Sequence, residues 1–520
     1  MTSRREFVAM LLGAPLALAC RRDRPLPGGE LIDTGMRRGH QFVRDAAPVT
    51  PTTWRHARVV IVGAGVAGLG AAWALRRAKL DDVLVLDLCD VPGGTARGGA
   101  SDVTPYPWGA HYIVAPQREQ DELISLLGDM GAFEGTAPDG TPIVDEALRC
   151  REPEERVFYR GRWYDGLYLD AGATLEDRRQ WTRFRAELDR WSGWRDADGR
   201  RAFAIPTARS SPDPALAALD AQSFAAWLDE RGFTSERLRW LCNYACRDDY
   251  ALMAADASAW AGLFYFAARQ KGPGAPPQSV VTWPDGNGAI VAHLARGATI
   301  EQGVTVQRVR AEAAGVAITA IGRDGAAFGI RAEHAILAVP AFVANRLVDR
   351  HVTAGDYGAW AVANVHLRDR PREAFGAPAA WDNVFRDSPS LGYVSATHQR
   401  GRDRGPTVWT WYYPFPGDAR AAREQLAGAG HAEWAEVVLA DLERAHPEIR
   451  TLVERIDVAF WGHGMVRPRV GARFDPARAA RAAPLGAIHF AHTDLSGLAL
   501  FEEAFDHGLR AAAEVVAALT

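Results

Sequence analysis

The sequence contains little lysine and little cysteine. Lys79 and Lys271 are the only lysines among 60 basic residues, and the net charge of −4 argues against broad nucleic-acid binding. Of the five cysteines, Cys242 and Cys246 lie one helical turn apart, but no second pair exists, so the spacing predicts no metal site. Whether any two cysteines join in a disulfide is left open by the sequence.

The apolar run at the start of the chain, Phe7 to Ala19, is too short to span a bilayer and fits the hydrophobic region of a signal peptide. It follows Arg4-Arg5 in a segment that looks like a twin-arginine export signal, and it ends in LALAC, which resembles a lipobox with Cys20 as the lipidated residue. We therefore expect residues 1–20 to engage the twin-arginine translocase and to direct the chain to the periplasm, with a lipid anchor at Cys20. A disordered basic N-terminus, or a cleaved signal that leaves Cys20 free, are the alternatives.

Residues 21–54 are rich in Pro, Gly and Arg and lack helical or strand periodicity, which predicts a flexible linker. With 520 residues, the chain exceeds one ordinary hydrophobic core, so two domains are expected.

The segment Arg58 to Gly99 has the pattern of a dinucleotide-binding unit. A short β-branched run predicts a buried strand, and G-x-G-x-x-G and an Ala/Leu-rich helix follow it. A second buried strand then ends at Asp87, at the distance where an acid accepts hydrogen bonds from a ribose. The helix N-terminus offers free N–H groups to a pyrophosphate. The predicted contacts are Gly63, Gly65, Val66, Ala67, Gly68 and Asp87.

A second glycine pair, Gly93-Gly94, and Arg97 follow that acid. This segment resembles the one that lies along the FAD pyrophosphate in the flavin-containing amine oxidases, a superfamily that also holds protoporphyrinogen oxidase and the carotenoid desaturases. The resemblance implies an α/β, Rossmann-like FAD-binding domain with an inserted α+β substrate domain. It also implies that the region around Val306 contacts the adenine side.

The C-terminus resembles the closing pattern of the same family. Ile488 to Asp494 predicts a final strand, and Leu500 to Ala512 opens a helix whose N-terminus would point at the flavin. By this match Asp494 would bind a ribityl or phosphate oxygen, and Glu502 to Ala504 would line the ring. His492, Thr493 and Glu503 replace residues that are commonly glycine in relatives.

Two aromatic segments supply candidates for contact with the substrate. Trp108 to Tyr112 matches a strand that passes beside the flavin in relatives, and Phe460 to Met465 occupies the place of an aromatic segment near the substrate. The catalytic candidates are His111, Tyr112, Trp461 and His463. Asp248, Asp249 and Tyr250 could line the cavity or could simply end a helix.

The strand Val408 to Tyr413 predicts an aromatic face of Trp409, Trp411 and Tyr413, with Tyr412 on the opposite face. That face would form either a wall opposite the flavin or the core of a sheet.

The predicted organisation is a discontinuous FAD domain with an inserted substrate domain. The FAD domain comprises residues 55–115, 280–345 and 480–520, and the substrate domain comprises residues 116–279 and 346–479. The implied reaction is hydride transfer from a small-molecule substrate to flavin N5, with reoxidation by oxygen or a membrane electron acceptor. Neither lysine falls at the position where many amine oxidases hold a flavin-bound water, and no cysteine is placed for a covalent flavin link. A desaturase or isomerase of an apolar lipid or terpenoid, and a non-catalytic FAD-binding envelope protein, are the alternatives.

Overall fold

The computed structural model describes residues 11, 25–45, 47–373 and 375–520. The predicted export signal therefore lies outside the described residues, apart from Leu11. None of the helices in these ranges is both long and apolar enough to cross a bilayer. The four cysteines after residue 80 are free thiols.

The first sheet is built on parallel strands with buried, β-branched sequences. Val59–Val62 and Val83–Leu86, both predicted as strands, form the centre of this sheet, and their side chains are almost wholly buried. From Thr299–Gln302 to the long strand Ala327–Leu337, each strand runs parallel to the next. Two further elements pair with Ala327–Leu337: an antiparallel hairpin and a short parallel strand. In spatial order the strands are Thr299–Gln302, Val83–Asp87, Trp54–Val62, Ala327–Leu337, Gly315–Ile321 and Thr305–Glu312, with Ile488–Phe490 beside Ala327–Leu337.

The second sheet is mixed and carries the substrate domain. Two long strands, Tyr357–Leu367 and Val453–Val466, form its most extensive antiparallel pair. A hairpin with its turn at Arg160-Gly161 lies at its other edge. In spatial order the strands are Leu31–Ile32, Val453–Val466, Tyr357–Leu367, Thr407–Phe415, Gly392–Ser395, Asp382–Phe385, Glu155–Tyr159 and Arg162–Asp165.

The helices cover both sheets and form a separate lobe over residues 175–267. The lobe has its own core of aromatic side chains. The helices are Met36–Gly39, with a π-helical turn His40–Arg44, then Val66–Arg77, Asp121–Asp129, Leu175–Gly193, Pro214–Asp220, Phe224–Glu230, Glu236–Tyr250, Ala259–Ala267, Gly288–Ala295, Ala341–Leu347, Ala419–Ala427, His431–Leu442, Ile449–Leu452, Ala477–Ala482 and Phe501–Leu519. Three two-stranded ribbons pair Gly98–Ala100 with Pro105–Pro107, Ile113–Val114 with Val280–Val281, and Phe133–Thr136 with Pro142–Val144.

The prediction of a flexible linker is wrong for residues 28–44. Leu31–Ile32 adds a parallel strand to the substrate sheet beside Val458 and Ala459. Arg38 then donates hydrogen bonds to Thr305 Oγ1 (2.8 Å) and to the carbonyl oxygen of Gly322 (2.7 Å), on the dinucleotide sheet. We call residues 28–44 the strap, because the segment joins the two sheets. Its sequence is short of apolar periodicity since most of its contacts are made by backbone and polar groups.

The predicted boundary between residues 115 and 116 also differs from the structure. The helix Asp121–Asp129 was assigned to the substrate domain, but Leu123, Leu126 and Leu127 lie in the same core as Val59 and Val85. The amphipathic pattern identifies a buried face but not the sheet that the face covers.

Candidate functional site

Two adjoining cavities lie where the two sheets meet. The first, a cleft of about 350 Å³, borders the carboxyl ends of the parallel strands, where ligands bind in open α/β sheets. The second, of about 150 Å³, lies against the substrate sheet and the helical lobe. Both are lined by Thr95, Ala110, Trp461, Gly464, Leu500 and Phe501, so a group bound in the cleft would border the second cavity. We call them the cofactor cleft and the substrate cavity.

The glycine turn after the first strand borders the cofactor cleft as predicted. Gly63 has φ +102°, a conformation that side chains rarely adopt. A Cβ on Gly65 would meet no protein atom within 4 Å, so the backbone there faces open space in the cleft. Val66 and Ala67 also line the cleft. Gly68 does not, because a Cβ at this position would lie 1.9 Å from the carbonyl oxygen of Gly63. Its role is to let the helix approach the turn.

The second glycine pair lies directly beside the first turn. Gly93 donates its N–H to the carbonyl oxygen of Ala64 (2.7 Å), and both Gly93 and Gly94 have positive φ and line the cleft. Arg97 is buried, with its guanidinium 5.1 Å from the Trp461 ring, and its Nε and Nη2 have no partner among the described residues. Buried N–H groups without partners beside a glycine-walled cleft fit a bound group rich in acceptor oxygens, such as FAD.

Asp87 lies in the cleft at the end of its strand, as predicted. Its Oδ2 accepts from the backbone N–H of Ala64 (2.5 Å) and its Oδ1 from that of Cys89 (2.7 Å). Burial nevertheless raises the pKa of its carboxyl above the ordinary range. These bonds fix both oxygens, and a carboxylate keeps further lone pairs for ribose hydroxyls. Val306 also lines this part of the cleft.

Four predicted cofactor contacts, Gly68, Arg97, Asp494 and Glu502, are not among the described lining of the cofactor cleft. Asp494 Oδ2 accepts from the backbone N–H of Ala341 (2.6 Å) and from the hydroxyl of Tyr357 (2.5 Å), and the carboxylate does not line the cleft. These bonds and the ion pair with His492 hold its pKa down, at about 2, against the opposing effect of burial. His492 and Thr493 line the cleft in its place.

Glu502 does not line the cleft either. It borders the substrate cavity, while Leu500, Phe501 and Ala504 present the N-terminus of the last helix to the cleft. A helix turns 100° per residue, so consecutive side chains face different directions, which the motif match does not resolve.

The strap contributes to the cleft, which sequence reasoning missed. Thr34 and Val43 line the cleft, and the Thr34 hydroxyl donates to the carbonyl oxygen of Phe460 (2.5 Å) on the substrate sheet. No motif marks these positions, because only the path of the chain brings them to the cleft.

Three of the four catalytic candidates line the substrate cavity. They are His111, Tyr112 and Trp461. The indole Nε1 of Trp461 donates to the carbonyl oxygen of Trp108 (2.7 Å). His463 lines the cofactor cleft instead and packs 4.5 Å from the Phe342 ring. Burial lowers the pKa of both His111 and His463 to about 4, so both imidazoles are neutral at pH 7.

The aromatic strand places its residues on the two predicted faces. Trp409, Trp411 and Tyr413 pack into the core with the helix His431–Leu442, and Trp411 Nε1 donates to Asp441 (2.8 Å). That face is therefore a sheet core and not a wall of the site. Tyr412, on the opposite face, lines the substrate cavity and donates its hydroxyl to the carbonyl oxygen of Gly109 (2.9 Å).

One part of the substrate cavity is lined by charged side chains. Arg269 forms an ion pair with Asp249 (2.8 Å) and donates to the hydroxyl of Tyr112 (3.1 Å). Asp248 accepts from the hydroxyl of Tyr265 (3.4 Å). Burial, followed by the repulsion of Asp249, raises the pKa of Asp248 to about 7. The predicted lining role of Asp248 and Asp249 thus agrees with the structure. Tyr250 is buried elsewhere and bonds the carbonyl oxygen of Ala261.

Further carboxyls surround the same region. Asp382 lines the cavity and accepts from the hydroxyl of Tyr244 (3.2 Å), and burial raises its pKa well above the ordinary value. Burial also raises the pKa of Glu154, Glu155 and Glu502 to about 7. A small adjoining chamber of about 70 Å³ is lined by Glu154 and Glu155. Sequence reasoning missed Asp382, Arg269, Glu154 and Glu155, because they come from separate segments that no local pattern joins.

Lysine is absent from the described lining of both cavities. The described residues also contain no group of three or more His, Cys, Asp or Glu placed to hold a metal ion.

Comparison with known structures finds the same fold in several solved proteins. Putrescine oxidase bound to putrescine matches with 20% identity and a TM-score of 0.63, over 89% of this chain and 100% of that chain. Cyclohexylamine oxidase from Brevibacterium oxydans IH-35A matches with 18% identity and a TM-score of 0.62, over 89% and 99%. A CLA-producing fatty acid isomerase from P. acnes matches with 15% identity and a TM-score of 0.59, over 88% and 98%. At these identities the likeness shows the fold.

A family model supplies the assignment that the fold alone does not. No curated protein sequence matches the chain. The model of the flavin-containing amine oxidoreductases matches residues 66–516, which includes the substrate cavity, the lining of the cofactor cleft from Val66 onward and most of the last helix. Members of this family bind FAD, in agreement with the unpartnered Arg97 and the open face of Gly65. The chain therefore belongs to the flavin-containing amine oxidoreductase family and is an FAD-dependent oxidoreductase.

Proposed function

We propose that this enzyme oxidises a small aliphatic amine that carries a second cationic group, by hydride transfer from a substrate C–H to N5 of FAD. The observation that supports this substrate class is the excess of buried carboxyl groups around one part of the substrate cavity. Asp248, Asp249 and Asp382 line that part, and Arg269 is the one cation among its described lining residues.

The charges around this part of the cavity do not balance in the protein alone. Asp249 is compensated by Arg269, whereas Asp248 and Asp382 accept hydrogen bonds from tyrosine hydroxyls. A buried carboxylate without a cation is unfavourable, so the pKa of each group is raised. An ammonium group bound here would supply the missing charge and favour the ionised carboxylates.

The remaining lining suits the carbon that reacts. Trp360, Tyr412 and Trp461 form an aromatic wall beside the opening to the cofactor cleft. Bound FAD would supply the hydride acceptor at this opening, while the wall excludes water from the reacting carbon. His111 is neutral at pH 7, and its Nδ1 donates to the carbonyl oxygen of Gly109 (3.4 Å) in the tautomer that leaves Nε2 as an acceptor. An amine must be uncharged to lose hydride, and an imidazole with a pKa of about 4 does not hold the proton of an alkylammonium, so we assign Nε2 of His111 to accept a hydrogen bond from the reacting nitrogen after that proton has passed to solvent.

The test is anaerobic reduction of the purified holoprotein, which is measured as the loss of flavin absorbance. We expect 1,4-diaminobutane to bleach the flavin at concentrations at least tenfold below those required of butylamine. Asp248→Asn should raise the concentration of diamine required at least tenfold, and the exposed Asp121→Asn should leave it unchanged. Equal potency of the two amines would contradict the second cationic group. Conversion of an unsaturated fatty acid in place of either amine would favour the desaturase or isomerase alternative, and a flavin that none of these compounds reduces would favour the non-catalytic one.

We also propose that the chain is exported through the twin-arginine translocase and anchored at Cys20. Arg4-Arg5, the short apolar run and LALAC support this proposal. Replacement of Arg4 and Arg5 by Lys should retain the protein in the cytoplasm, and export of that variant would contradict the proposed signal.

We propose oxygen as the electron acceptor. Stoichiometric oxygen uptake during amine turnover tests this proposal against a membrane acceptor.

A further inference from the structure

A third cavity lies behind the first turns of the last helix, away from the cofactor cleft. It has a volume of about 430 Å³ and is formed where four segments meet: the loop around residues 200–212, residues 473–479, residues 495–496, and the C-terminal helix Phe501–Leu519. Glu503, Asp506 and His507 face it from that helix. Small-molecule sites occur often at such junctions between domains. Nothing in the proposed oxidation uses this cavity.

Two arginines in this cavity lack carboxylate partners. No acidic oxygen among the described residues lies within 4.0 Å of a guanidinium nitrogen of Arg473 or Arg478, although the backbone N–H of Arg473 donates to Asp220 (2.9 Å). Arg478 donates one hydrogen bond to the carbonyl oxygen of Ser496 (2.8 Å), and Arg473 donates one to that of Thr207 (3.3 Å). The Nε of each guanidinium has no partner. Burial and the neighbouring Arg473 lower the pKa of Arg478 to about 10, which still leaves it charged at pH 7.

His507 adds a third unsatisfied group. Both ring nitrogens of His507 are buried and have no partner among the described residues. Burial and the charge of Arg510 lower its pKa to about 3, so the ring is neutral and offers one N–H donor. Buried polar groups in native proteins are normally hydrogen-bonded, and three such groups on one cavity indicate that a ligand satisfies them.

The carboxyls that face the cavity are mostly engaged by the protein. Both oxygens of Glu503 accept from Thr207, through its backbone N–H (2.5 Å) and its hydroxyl (2.9 Å). Asp475 lies 3.7 Å from Arg481. Burial raises the pKa of the carboxyl of Asp506, the remaining acid of this cavity. The remaining cation, Arg200, is paired with Asp196 and Asp198.

We infer that this cavity binds a small oxyanion, a carboxylate or a phosphate, between the guanidinium groups of Arg473 and Arg478 and the imidazole of His507. The planar guanidinium groups suit two oxygens of one anionic group. The cavity also has space for a short carbon skeleton beside Phe474 and Leu495.

The test is calorimetric titration of the full-length holoprotein with sodium phosphate and with sodium succinate, each against sodium chloride at constant ionic strength. We expect saturable binding of one of the two anions, and the anion that binds identifies the class. Arg478→Gln should weaken that binding at least tenfold. Arg420→Gln, which removes an exposed arginine paired with Glu424, should leave it unchanged.

His507→Phe gives a second, independent readout, because it keeps a ring of similar volume and removes both nitrogens. We expect His507→Phe to weaken anion binding at least threefold while flavin absorbance is retained. If Arg478→Gln loses its flavin, the test depends on His507→Phe. Absence of saturable binding for both anions, or equal affinity in the wild type and in the folded variants, would overturn the inference.

Discussion

Glu502 and Glu503 are consecutive in sequence, yet their carboxyl groups enter two different cavities. Glu502 borders the substrate cavity, whereas Glu503 is bonded to Thr207 on the far side of the same helical turn. Leu500, Phe501 and Ala504 face the cofactor cleft on a third side. The first turn of the last helix is thus a wall shared by three cavities, and a substitution at Glu502, Glu503 or Ala504 changes only the one cavity that this residue lines.

Gly65→Leu should abolish FAD binding without unfolding the protein. Because a Cβ at Gly65 meets no protein atom, the leucine side chain would extend into the cleft and occupy the space of the cofactor. We expect loss of the flavin absorbance of the purified protein with an unchanged far-ultraviolet circular dichroism spectrum. Gly272→Leu, at a position that is equally free of close contacts, is the matched control. A Gly65→Leu variant with full flavin content would contradict the assignment of the cleft.

Amine binding should weaken as the pH falls through 7. The pKa of Asp248 is raised to about 7, so the group is protonated and neutral below that pH and ionised above it. An aliphatic ammonium stays charged throughout this range, so the carboxyl decides the attraction. For one such group we expect KM for a diamine to rise about tenfold between pH 8 and pH 6.

Asp248→Asn tests the origin of this pH dependence. The variant should have a high KM at pH 8 and a flatter profile between pH 8 and pH 6. If the slope equals that of the wild type, the pH dependence of KM arises instead from Glu154, Glu155 or Glu502, whose pKa values are also raised to about 7.

Arg38→Ala should accelerate the release of FAD. Arg38 is the strap residue that bonds Thr305 and Gly322, and hydrogen bonds from a charged donor contribute about 1.5–3 kcal/mol when they are well buried. Because this contact is only partly buried, we expect about a tenfold increase in the dissociation rate, measured by the recovery of free-flavin fluorescence. Arg37→Ala, at the exposed neighbouring residue, should release FAD at the wild-type rate.

Trp411→Phe and Tyr412→Phe should affect different properties. Trp411 is fully buried and bonds Asp441, so its replacement should lower the free energy of unfolding by about 2–3 kcal/mol and leave KM unchanged. Tyr412 lines the substrate cavity, so loss of its hydroxyl should change KM severalfold and cost about 1 kcal/mol of stability. Denaturant unfolding and steady-state kinetics on both variants separate the two effects. A change in KM for Trp411→Phe larger than that for Tyr412→Phe would contradict the assignment of the two faces.

The parts of the site that are local in sequence could be predicted from it. Gly63, Gly65, Gly93 and Asp87 lie within one strand–helix–strand unit, where the backbone alone fixes their relative positions. The alternation along Thr407–Phe415 likewise gave the correct faces, although not the side that meets the substrate.

Residues that depend on the path of the chain were beyond local patterns. Arg269, Asp382 and Thr34 come from three distant segments, and each meets the site only because separate elements fold together. Asp494 illustrates a second limit. A motif match identifies a position, but the carboxylate of Asp494 is bonded to Tyr357 and Ala341 and is not among the described lining of the cofactor cleft.

The strap sets how far the enzyme can stand from a surface that holds its N-terminus. The backbone is engaged from Gly28, which pairs with Arg455, and only residues 21–27 separate it from Cys20. Seven residues extend at most about 25 Å, so a lipid attached at Cys20 would hold the enzyme body close to the bilayer. Such a short standoff would restrict rotation of the enzyme and present one side of it persistently to the membrane.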